Sequence, residues 1–446
     1  SPHAVSVALP RWRDVVAYEE NDPACRDALK TIYPRFGLHP LIRQLIQPLE
    51  LAGSTVWPYP TEAAAEAALA HCQRKAPESR SELLTIAGVS CLQVDAEATP
   101  HAKAFWQHTG LGISSRQAAI GLGREPAPAL ADGEAARNQI RHCLAAIHSI
   151  SAERISLHPA GMAALHAALT TVQTLRPGRA TLQLGFPYVD VLKQPQVVFH
   201  GGDLLHNTDL NDIAAALDRL EPAAVIVELP SNPLLRCVDL PAVANLAHAR
   251  GIPVIADDTI GTGFNLNVLQ HTDLIFTSLT KSFAGRGDVM AGSLLVSPYS
   301  RWSETLLSAV QPAARLSDAD AIALELASRG VVERVQTLDR HALALAQRLE
   351  RHPAVEQVLY PKDCPNFKAL MRPGAGHGCL LSFVLKEGEA KAQRIYDTLR
   401  VSKGPSLGTH FTLACPYTLL AHYNERGSAA GGGVDGTGAR LNCRHY

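Results

Sequence analysis

The sequence predicts an α/β fold in which a doubly wound, mostly parallel sheet is followed by a smaller C-terminal α+β domain. Across the middle of the chain, short apolar segments alternate with longer amphipathic ones. That alternation is typical of buried parallel strands joined by helices. The 446 residues, of which 46% are hydrophobic, suffice for a large domain and one or two smaller ones.

The individual elements are read from short stretches of sequence. Strands are predicted at "ERISLH", "AAVIVEL", "IPVIAD" and "DLIFTS". Helices are predicted at "GMAALHAALTTVQTL", "LPAVANLAHARG" and "DRHALALAQRLERHP", and "GCLLSFVLKEGEAKAQRIYDTL" predicts a strand followed by a helix. We therefore expect an N-terminal extension over 1–115, a large domain over 116–310 and a small domain over 311–446. The glycine-rich tail, 426–446, lacks helical periodicity and is expected to be aberrant or truncated.

Composition disfavours several classes of function. Lys and Arg total 41 against 42 Asp and Glu, so bulk charge indicates neither nucleic-acid nor membrane-surface binding. There is no apolar run of transmembrane length and no secretory leader pattern, and we expect a cytoplasmic protein. The nine cysteines form no C-x-x-C pair, which is typical of free thiols. Neither H-E-x-x-H nor a Cys/His cluster occurs, so no metal is predicted.

Chemistry-bearing residues follow several of the predicted strands. Residues 228–232 follow one strand, Asp257 and Asp258 a second, and residues 278–281 a third. The carboxyl ends of parallel strands meet at one edge, where such sheets bind ligands. "ERISLH" leads to Gly161 at a helix start, whose free N–H groups and dipole favour an anion. This edge therefore gathers an amine, carboxylates, hydroxyls and a phosphate cradle.

Pyridoxal phosphate requires this set of groups, because it forms a Schiff base with a lysine and needs an acid for its ring nitrogen and donors for its phosphate. Lys281 is the predicted Schiff-base lysine, Asp257 the partner of the ring nitrogen and Asn232 the donor to the ring hydroxyl. The predicted phosphate ligands are the amides of Gly161 and Met162 and the hydroxyls of Ser278 and Thr280.

Taken singly, each of these residues has an ordinary structural explanation, as a surface lysine, a helix cap or a turn residue. The joint arrangement favours the cofactor. A nicotinamide oxidoreductase remains an alternative, but "GTGFNL" lacks the third glycine of the dinucleotide fingerprint.

Several motifs resemble the Cys/Met-metabolism enzymes that use pyridoxal phosphate, especially the fungal-type cystathionine γ-synthases. They are "ELPSNPLLRCVDL", "IADDTIGTGF", "TSLTKSFAGRGDVMAGSLLVSP" and "KGPSLGTHFTLACPY". The opening "HAVSVALPRWRDVVAYEE" and "YPRFGLHPLI" resemble the N-terminal extension of that branch.

The resemblance implies an aspartate-aminotransferase-like fold (fold type I) and a homodimer or homotetramer with shared active sites. It also implies γ-replacement on an activated homoserine, in which cysteine sulfur displaces the γ-substituent to give cystathionine. A γ-lyase or a homoserine sulfhydrylase would use the same lysine, so these alternatives remain open. The sequence does not choose among O-succinyl-, O-acetyl- and O-phosphohomoserine.

The resemblance also assigns residues outside the strand ends. Arg116 in "GISSRQAA" matches an arginine that reaches the neighbouring subunit's cofactor phosphate. Ser406 in "GPSLG" matches a loop beside the substrate carboxylate, and Arg440 falls near the register of the arginine that binds that carboxylate.

The chain also departs from the family pattern. Leu184 falls where the ring-stacking tyrosine is expected, so Phe186 or Tyr188 would supply the stack. Ala160 removes a hydroxyl before Gly161, and Phe411 stands where bacterial γ-synthases have a glutamate. Together with the unusual tail, these departures keep open a non-catalytic homologue that binds the cofactor.

Overall fold

The computed structural model describes residues 1–421 and 440–444, with the side chains of residues 389, 421 and 440–444 left out. Across these ranges, every helix is too short or too polar to traverse a lipid bilayer. The same residues contain no cluster of three histidine, cysteine or acidic side chains suited to a metal ion.

The N-terminal part of the chain builds a small antiparallel sheet, in the order β1-β3-β2, with helices around it. Its elements are α1 (Trp12–Glu19), α2 (Pro23–Ala28), α3 (Pro40–Ile46), β1 (Ser54–Tyr59), α4 (Glu62–Lys75), β2 (Ser81–Ile86), β3 (Val89–Asp95), α5 (Thr99–Thr109) and α6 (Ser115–Gly121). Residues before α3 lie outside this sheet and pass over the rest of the molecule.

The central part forms a seven-stranded sheet in the order β4-β10-β9-β8-β7-β5-β6. Its elements are α7 (Leu130–His148), β4 (Ile155–His158), α8 (Gly161–Leu175), β5 (Thr181–Leu184), α9 (Val189–Val198), β6 (Gly202–Leu205), α10 (Leu210–Leu220), β7 (Val225–Glu228), α11 (Leu240–Ala249), β8 (Val254–Asp257), α12 (Thr262–Asn265), β9 (Leu274–Ser278), β10 (Gly292–Val296), α13 (Ser303–Ala309) and α14 (Asp318–Ser328). Strands β9, β8, β7, β5 and β6 are parallel, while β10 is antiparallel to both its neighbours. The predicted fold class is confirmed.

The C-terminal part forms a five-stranded sheet in the order β11-β12-β15-β14-β13. Its elements are α15 (Val331–Glu350), β11 (Val355–Leu359), α16 (Pro365–Leu370), β12 (Leu380–Leu385), α17 (Gly388–Thr398), β13 (Ser402–Lys403), β14 (Leu413–Pro416), α18 (Tyr417–Ala421) and β15 (Arg440–Arg444). Most of the tail predicted to be aberrant lies outside the described residues. Residues 440–444 form β15, paired with β12 and β14.

The domain boundaries stay predictions. The proposed boundary at residue 310 precedes α14, although Leu316 and Leu324 lie in the same buried cluster as Val225 and Ile275 of the seven-stranded sheet. Residues after 310 therefore complete the core of the large sheet before the small sheet begins.

The sheet brings the predicted site residues to one edge because β4, β7, β8 and β9 point in the same direction. Glu228, the last residue of β7, pairs with Asp257, the last residue of β8. Gly292 begins β10, and a Cβ atom there would lie 2.3 Å from the carbonyl oxygen of Ala160. A glycine is required for β10 to pass so close to the start of α8.

Candidate active site

Lys281 lies just beyond the end of β9 and faces a pocket at the carboxyl edge of the sheet. A short turn carries it, since the amide of Lys281 donates to the carbonyl of Ser278 at 3.3 Å and the amide of Gly285 donates to the carbonyl of Lys281 at 2.8 Å. The lysine is half-buried. The pocket also contains most of the other predicted residues: Gly161, Met162, Tyr188, Asn232, Asp257, Ser278 and Ser406.

The adjacent carboxyls of Asp257 and Asp258 have different surroundings. Asp257 lines the pocket, and its Oδ1 accepts the Thr259 amide at 3.0 Å. Asp258 lies in the interior, where it accepts the hydroxyl of Thr277. Burial raises the pKa of Asp257 to about 6 and that of Asp258 to about 7. Asp257 is therefore the carboxyl placed to meet a ligand.

The start of α8 forms the predicted anion cradle. No side chain caps this helix, so the N–H groups of its first turn are not occupied by a cap. A Cβ atom on Gly161 would lie 2.8 Å from the Cβ of Ser278, and glycine therefore lets the helix start approach that serine. The Thr280 hydroxyl instead accepts the Ala291 amide at 3.1 Å and lies outside the pocket wall.

Tyr188 lines the pocket and immediately precedes α9. Phe186, the other candidate for the stacking ring, lines a separate cavity instead, together with Leu184. The Tyr188 hydroxyl donates to Asp190 at 3.0 Å and accepts from Nη2 of Arg35 at 2.7 Å. Its ring position in the pocket is consequently fixed by a charged pair.

That pair is buried and comes from distant parts of the chain. Nη1 of Arg35 lies 2.6 Å from Asp190, with each side chain 3% exposed. Nδ1 of His108 lies 3.0 Å from the other oxygen of Asp190. Burial opposes ionisation of Asp190, yet the Arg35 charge and the His108 contact hold the pKa of this carboxyl below its usual range. Nε of Arg35 has no hydrogen-bond partner among the described residues.

The N-terminal segment supplies further pocket residues that the strand-end pattern does not predict. Tyr33, Phe36 and residues 5–7 line the wall around Lys281 together with Arg35. The segment is held in place by its backbone, since the amide of Val5 donates to Gly287 at 2.9 Å and that of Leu9 to Lys403 at 3.1 Å. The only sequence signal was the aromatic and cationic cluster in "YPRF".

Glu228 is a further pocket residue for which no role was predicted from the sequence. It lines the pocket, and its Oε2 has no hydrogen-bond partner among the described residues. Burial and the neighbouring Asp257 raise the pKa of this carboxyl well above its ordinary value. Its position at the end of β7 was a signal that could have identified it.

The residues that the family resemblance assigned outside the strand ends, Ser406, Arg116 and Arg440, do not all line this pocket. Ser406 is 4% exposed, and its Oγ is without a partner in the described part of the chain. Gly408 packs the same loop against the lysine turn, where an added Cβ would lie 2.3 Å from the amide nitrogen of Ser282. Arg116 lies outside this pocket and donates to the carbonyl of Asp288 at 2.7 Å. For Arg440, only the backbone of β15 is described.

Comparison with known proteins identifies the family. The model for the Cys/Met metabolism PLP-dependent enzymes matches residues 133–424. The chain belongs to this family. In addition, residues 38–114 match the N-terminal domain of fungal trans-sulfuration enzymes. These matches confirm the resemblance and identify pyridoxal phosphate as the family's cofactor.

Individual relatives of this Cys/Met metabolism enzyme cover nearly its full length. Cystathionine gamma-synthase of Neurospora crassa is 30% identical over 97% of this chain and 92% of its own. L-2-amino-4-chloropent-4-enoate dechlorinase/desaturase of Streptantibioticus cattleyicolor is 33% identical over 95% of this chain and 88% of its own. Among solved structures, cystathionine gamma synthase of Xanthomonas oryzae pv. oryzae, in complex with aminoacrylate and cysteine, has a TM-score of 0.62 at 25% identity. It covers 70% of this chain and 82% of its own.

The residues of the pocket fit pyridoxal phosphate. An amine, a buried carboxyl and an amide side chain face one space, and an uncapped helix start lies beside it. The partnerless Oγ of Ser406 supplies a donor for a further anionic group. Ala160 supplies no hydroxyl to the phosphate site, but the helix amides remain available there. Leu184 supplies no stacking ring, but Tyr188 lines the pocket.

Proposed function

We propose that this enzyme catalyses γ-replacement on an activated homoserine, such as O-acetyl- or O-succinylhomoserine, with cysteine as the acceptor and cystathionine as the product. The reaction belongs to trans-sulfuration and methionine biosynthesis and makes the protein a transferase. The convergence of Lys281, Asp257, Asn232 and Ser406 in one pocket carries the proposal. The similarity to a fungal cystathionine gamma-synthase over 97% of the chain supports it.

In this proposal each pocket residue has a separate task. Pyridoxal phosphate, when bound, supplies an electron sink for the negative charge that develops on the substrate. Lys281 would hold the cofactor through its amine and would move protons at the substrate carbons. Asp257 would hold the ring nitrogen, and Asn232 would hold the ring hydroxyl. The amides of Gly161 and Met162, with Ser278, would bind the phosphate.

Other assignments concern substrate binding and assembly. Ser406 and Arg440 are proposed to bind the substrate carboxylate, and Tyr188 to stack on the cofactor ring. Arg116 is proposed to reach the phosphate of a neighbouring subunit in a homodimer or homotetramer, in keeping with its position outside its own pocket. Thr280 is proposed to support the phosphate site through its contact with Ala291. A cytoplasmic location is supported by the free thiols of the eight cysteines whose side chains the structure describes.

Product analysis tests the proposal. The enzyme supplied with pyridoxal phosphate is incubated with O-acetyl- or O-succinylhomoserine, with and without cysteine, and the products are separated by mass spectrometry. Cystathionine is expected only when cysteine is present, and Lys281→Ala is expected to abolish it. The variant should also lose the absorbance band between roughly 300 and 500 nm that a lysine Schiff base gives the enzyme. A wild-type protein that stays colourless with added cofactor would contradict the assignment.

γ-Elimination is the second candidate, favoured by the 33% identical relative named as a dechlorinase/desaturase. It would use the same Lys281 but release an oxo acid and ammonia. Equal oxo-acid formation with and without cysteine would select this activity over γ-replacement.

A further inference from the structure

Two cysteines from distant parts of the chain meet beside the seven-stranded sheet. Cys237 lies in the connection between β7 and α11, and Cys364, 127 residues later, immediately precedes α16. The amide of Cys237 donates to Sγ of Cys364 at 3.3 Å, and the Cys237 thiol is within hydrogen-bonding reach of the same sulfur. Nδ2 of Asn366 donates to the Cys237 carbonyl at 3.0 Å. The backbone therefore holds the two sulfurs where a disulfide can form with little movement.

The two thiols differ in exposure and in charge. Cys237 is 7% exposed, whereas Cys364 is half-buried and within reach of a small solute. The hydrogen bond to Cys364, together with burial, raises the pKa of the Cys237 thiol well above its ordinary value. The same hydrogen bond lowers the pKa of Cys364, although burial opposes this. Cys364 is consequently the nucleophilic sulfur, and Cys237 is a protonated thiol beside it.

This arrangement has the parts that an oxidisable cysteine pair requires, namely an accessible thiolate and a second thiol in contact with it. Cys143 provides a contrast within the same chain. It is also half-buried, but burial raises the pKa of its thiol. Cys72 and Cys91 are buried as well as raised in pKa. Exposure and thiolate character therefore coincide at Cys364.

We propose that Cys364 and Cys237 form a modification site for hydroperoxides, at which the two thiols are oxidised to a disulfide. The Cys364 sulfur attacks the terminal peroxide oxygen, the O–O bond breaks, and water or an alcohol leaves with a proton from solvent. Cys364 is then a sulfenic acid. The Cys237 sulfur attacks it, the S–S bond forms, and the hydroxyl leaves as water with the Cys237 proton. The pair thus gives two electrons to the peroxide. This site is independent of the proposed γ-replacement.

The disulfide would also act on the cofactor pocket. Backbone hydrogen bonds of 2.8 and 3.0 Å close a turn over 231–236, directly before Cys237. The turn contains Asn232, which lines the Lys281 pocket and is proposed to hold the ring hydroxyl of the cofactor. A disulfide needs a sulfur separation of about 2.05 Å, shorter than any hydrogen bond between thiols. Its formation therefore draws Cys237 towards Cys364 and shifts the turn.

Peptide mass spectrometry of the oxidised protein tests the site. The reduced holoenzyme is treated with an equimolar amount of hydrogen peroxide, and the remaining thiols are blocked with iodoacetamide. A peptide pair linking Cys237 to Cys364 is expected, with two hydrogens lost, and dithiothreitol should separate it. In Cys237→Ser, oxidation should stop at the Cys364 sulfenic acid, which dimedone traps. In Cys364→Ser, Cys237 should stay reduced.

Cys143→Ser is the matched control, because it removes another half-buried thiol and should leave the yield of the Cys237–Cys364 disulfide unchanged. The wild-type protein by itself can decide against the proposal. The proposal is wrong if Cys364 stays reduced, or if it is oxidised without forming the link to Cys237.

Titration with pyridoxal phosphate, followed by absorbance, tests the effect on the pocket. The dissociation constant of the cofactor should be about two- to tenfold higher for the oxidised apoprotein than for the reduced one, the effect of losing one hydrogen bond. Reduction by dithiothreitol, removed before titration, should restore it. Peroxide-treated Cys237→Ser should bind as the untreated variant does. Equal dissociation constants for oxidised and reduced wild type would overturn the coupling to Asn232 and leave the disulfide site standing.

Discussion

The Nζ atom of Lys281 lies 5.3 Å from the centroid of the Tyr33 ring. This contact joins the proposed catalytic lysine to the N-terminal segment, which precedes it by more than 200 residues. An aromatic face at this distance favours a nearby cation. The N-terminal segment is therefore part of the pocket as well as part of the surface.

Replacing Tyr33 by Ala should lower kcat/KM about tenfold or more, because the ring beside the lysine is lost and water enters the pocket. Tyr33→Phe keeps the ring and should retain most of the activity. Measurement of kcat/KM for both variants decides between a role of the ring and a role of the hydroxyl. A kcat/KM for Tyr33→Ala equal to that of the wild type would contradict this prediction.

Asp257→Asn should raise the dissociation constant of pyridoxal phosphate about ten- to hundredfold, since a hydrogen bond to a charged group contributes about 1.5–3 kcal/mol. Titration of the apoprotein with cofactor, followed by absorbance, measures the change. Asp258→Asn is the matched control, because Asp258 bonds Thr277 in the interior, and its cofactor affinity should stay near that of the wild type. Equal losses in both variants would contradict the separate roles of the two carboxyls.

Asp258→Asn should also change how stability depends on pH. Burial raises the pKa of Asp258 to about 7 from 3.8, so the native state holds its proton more tightly than the unfolded chain. Between pH 4 and 7 the wild type therefore loses this contribution as pH rises. Asparagine does not titrate, and the variant should gain stability relative to the wild type from pH 5 to pH 8. Thermal unfolding of the apoproteins at both pH values checks this, and a pH-independent difference would refute it.

Removing the charge of Asp190 should destabilise the protein strongly. Asp190→Asn leaves the buried Arg35 without its counter-ion, which typically costs about 3–5 kcal/mol. Replacing both residues by apolar ones should cost less than the single change. Urea unfolding of the single and double variants measures both effects. The exposed pair between Arg250 and Asp218, also at 2.6 Å, is the control, and Asp218→Asn should have a much smaller effect.

Cys364 should be the fastest described cysteine to react with iodoacetamide at pH 7. A hydrogen bond from the Cys237 thiol, together with backbone donors, lowers the pKa of Cys364 to about 5 although it is partly buried. The thiolate is the reactive form. Burial raises the pKa of Cys72 to about 11 and that of Cys91 to about 12, so these thiols should react slowly. Peptide mapping after brief labelling measures the extent of reaction at each cysteine. Equal labelling of Cys364, Cys72 and Cys91 would count against the prediction.

Local sequence determined the elements of the large sheet and the residues at their ends. The helix predicted at 161–175 matches α8, and the predicted strands contain β4, β7, β8 and β9. Hydrophobic periodicity and turn residues act over short distances, so they are readable along the chain. Because parallel strands end at one edge, the positions of Lys281, Asp257 and Gly161 in a common pocket followed from the same pattern.

The tertiary structure decided what the local pattern left open. It placed Tyr188 in the pocket and left Leu184 and Phe186 outside, it separated Asp257 from Asp258, and it engaged Thr280 with Ala291. The Arg35–Asp190 pair and the contact between Tyr33 and Lys281 join segments more than 100 residues apart. Such contacts depend on how the N-terminal segment packs over the sheet, and periodicity within either segment carries no information about the other.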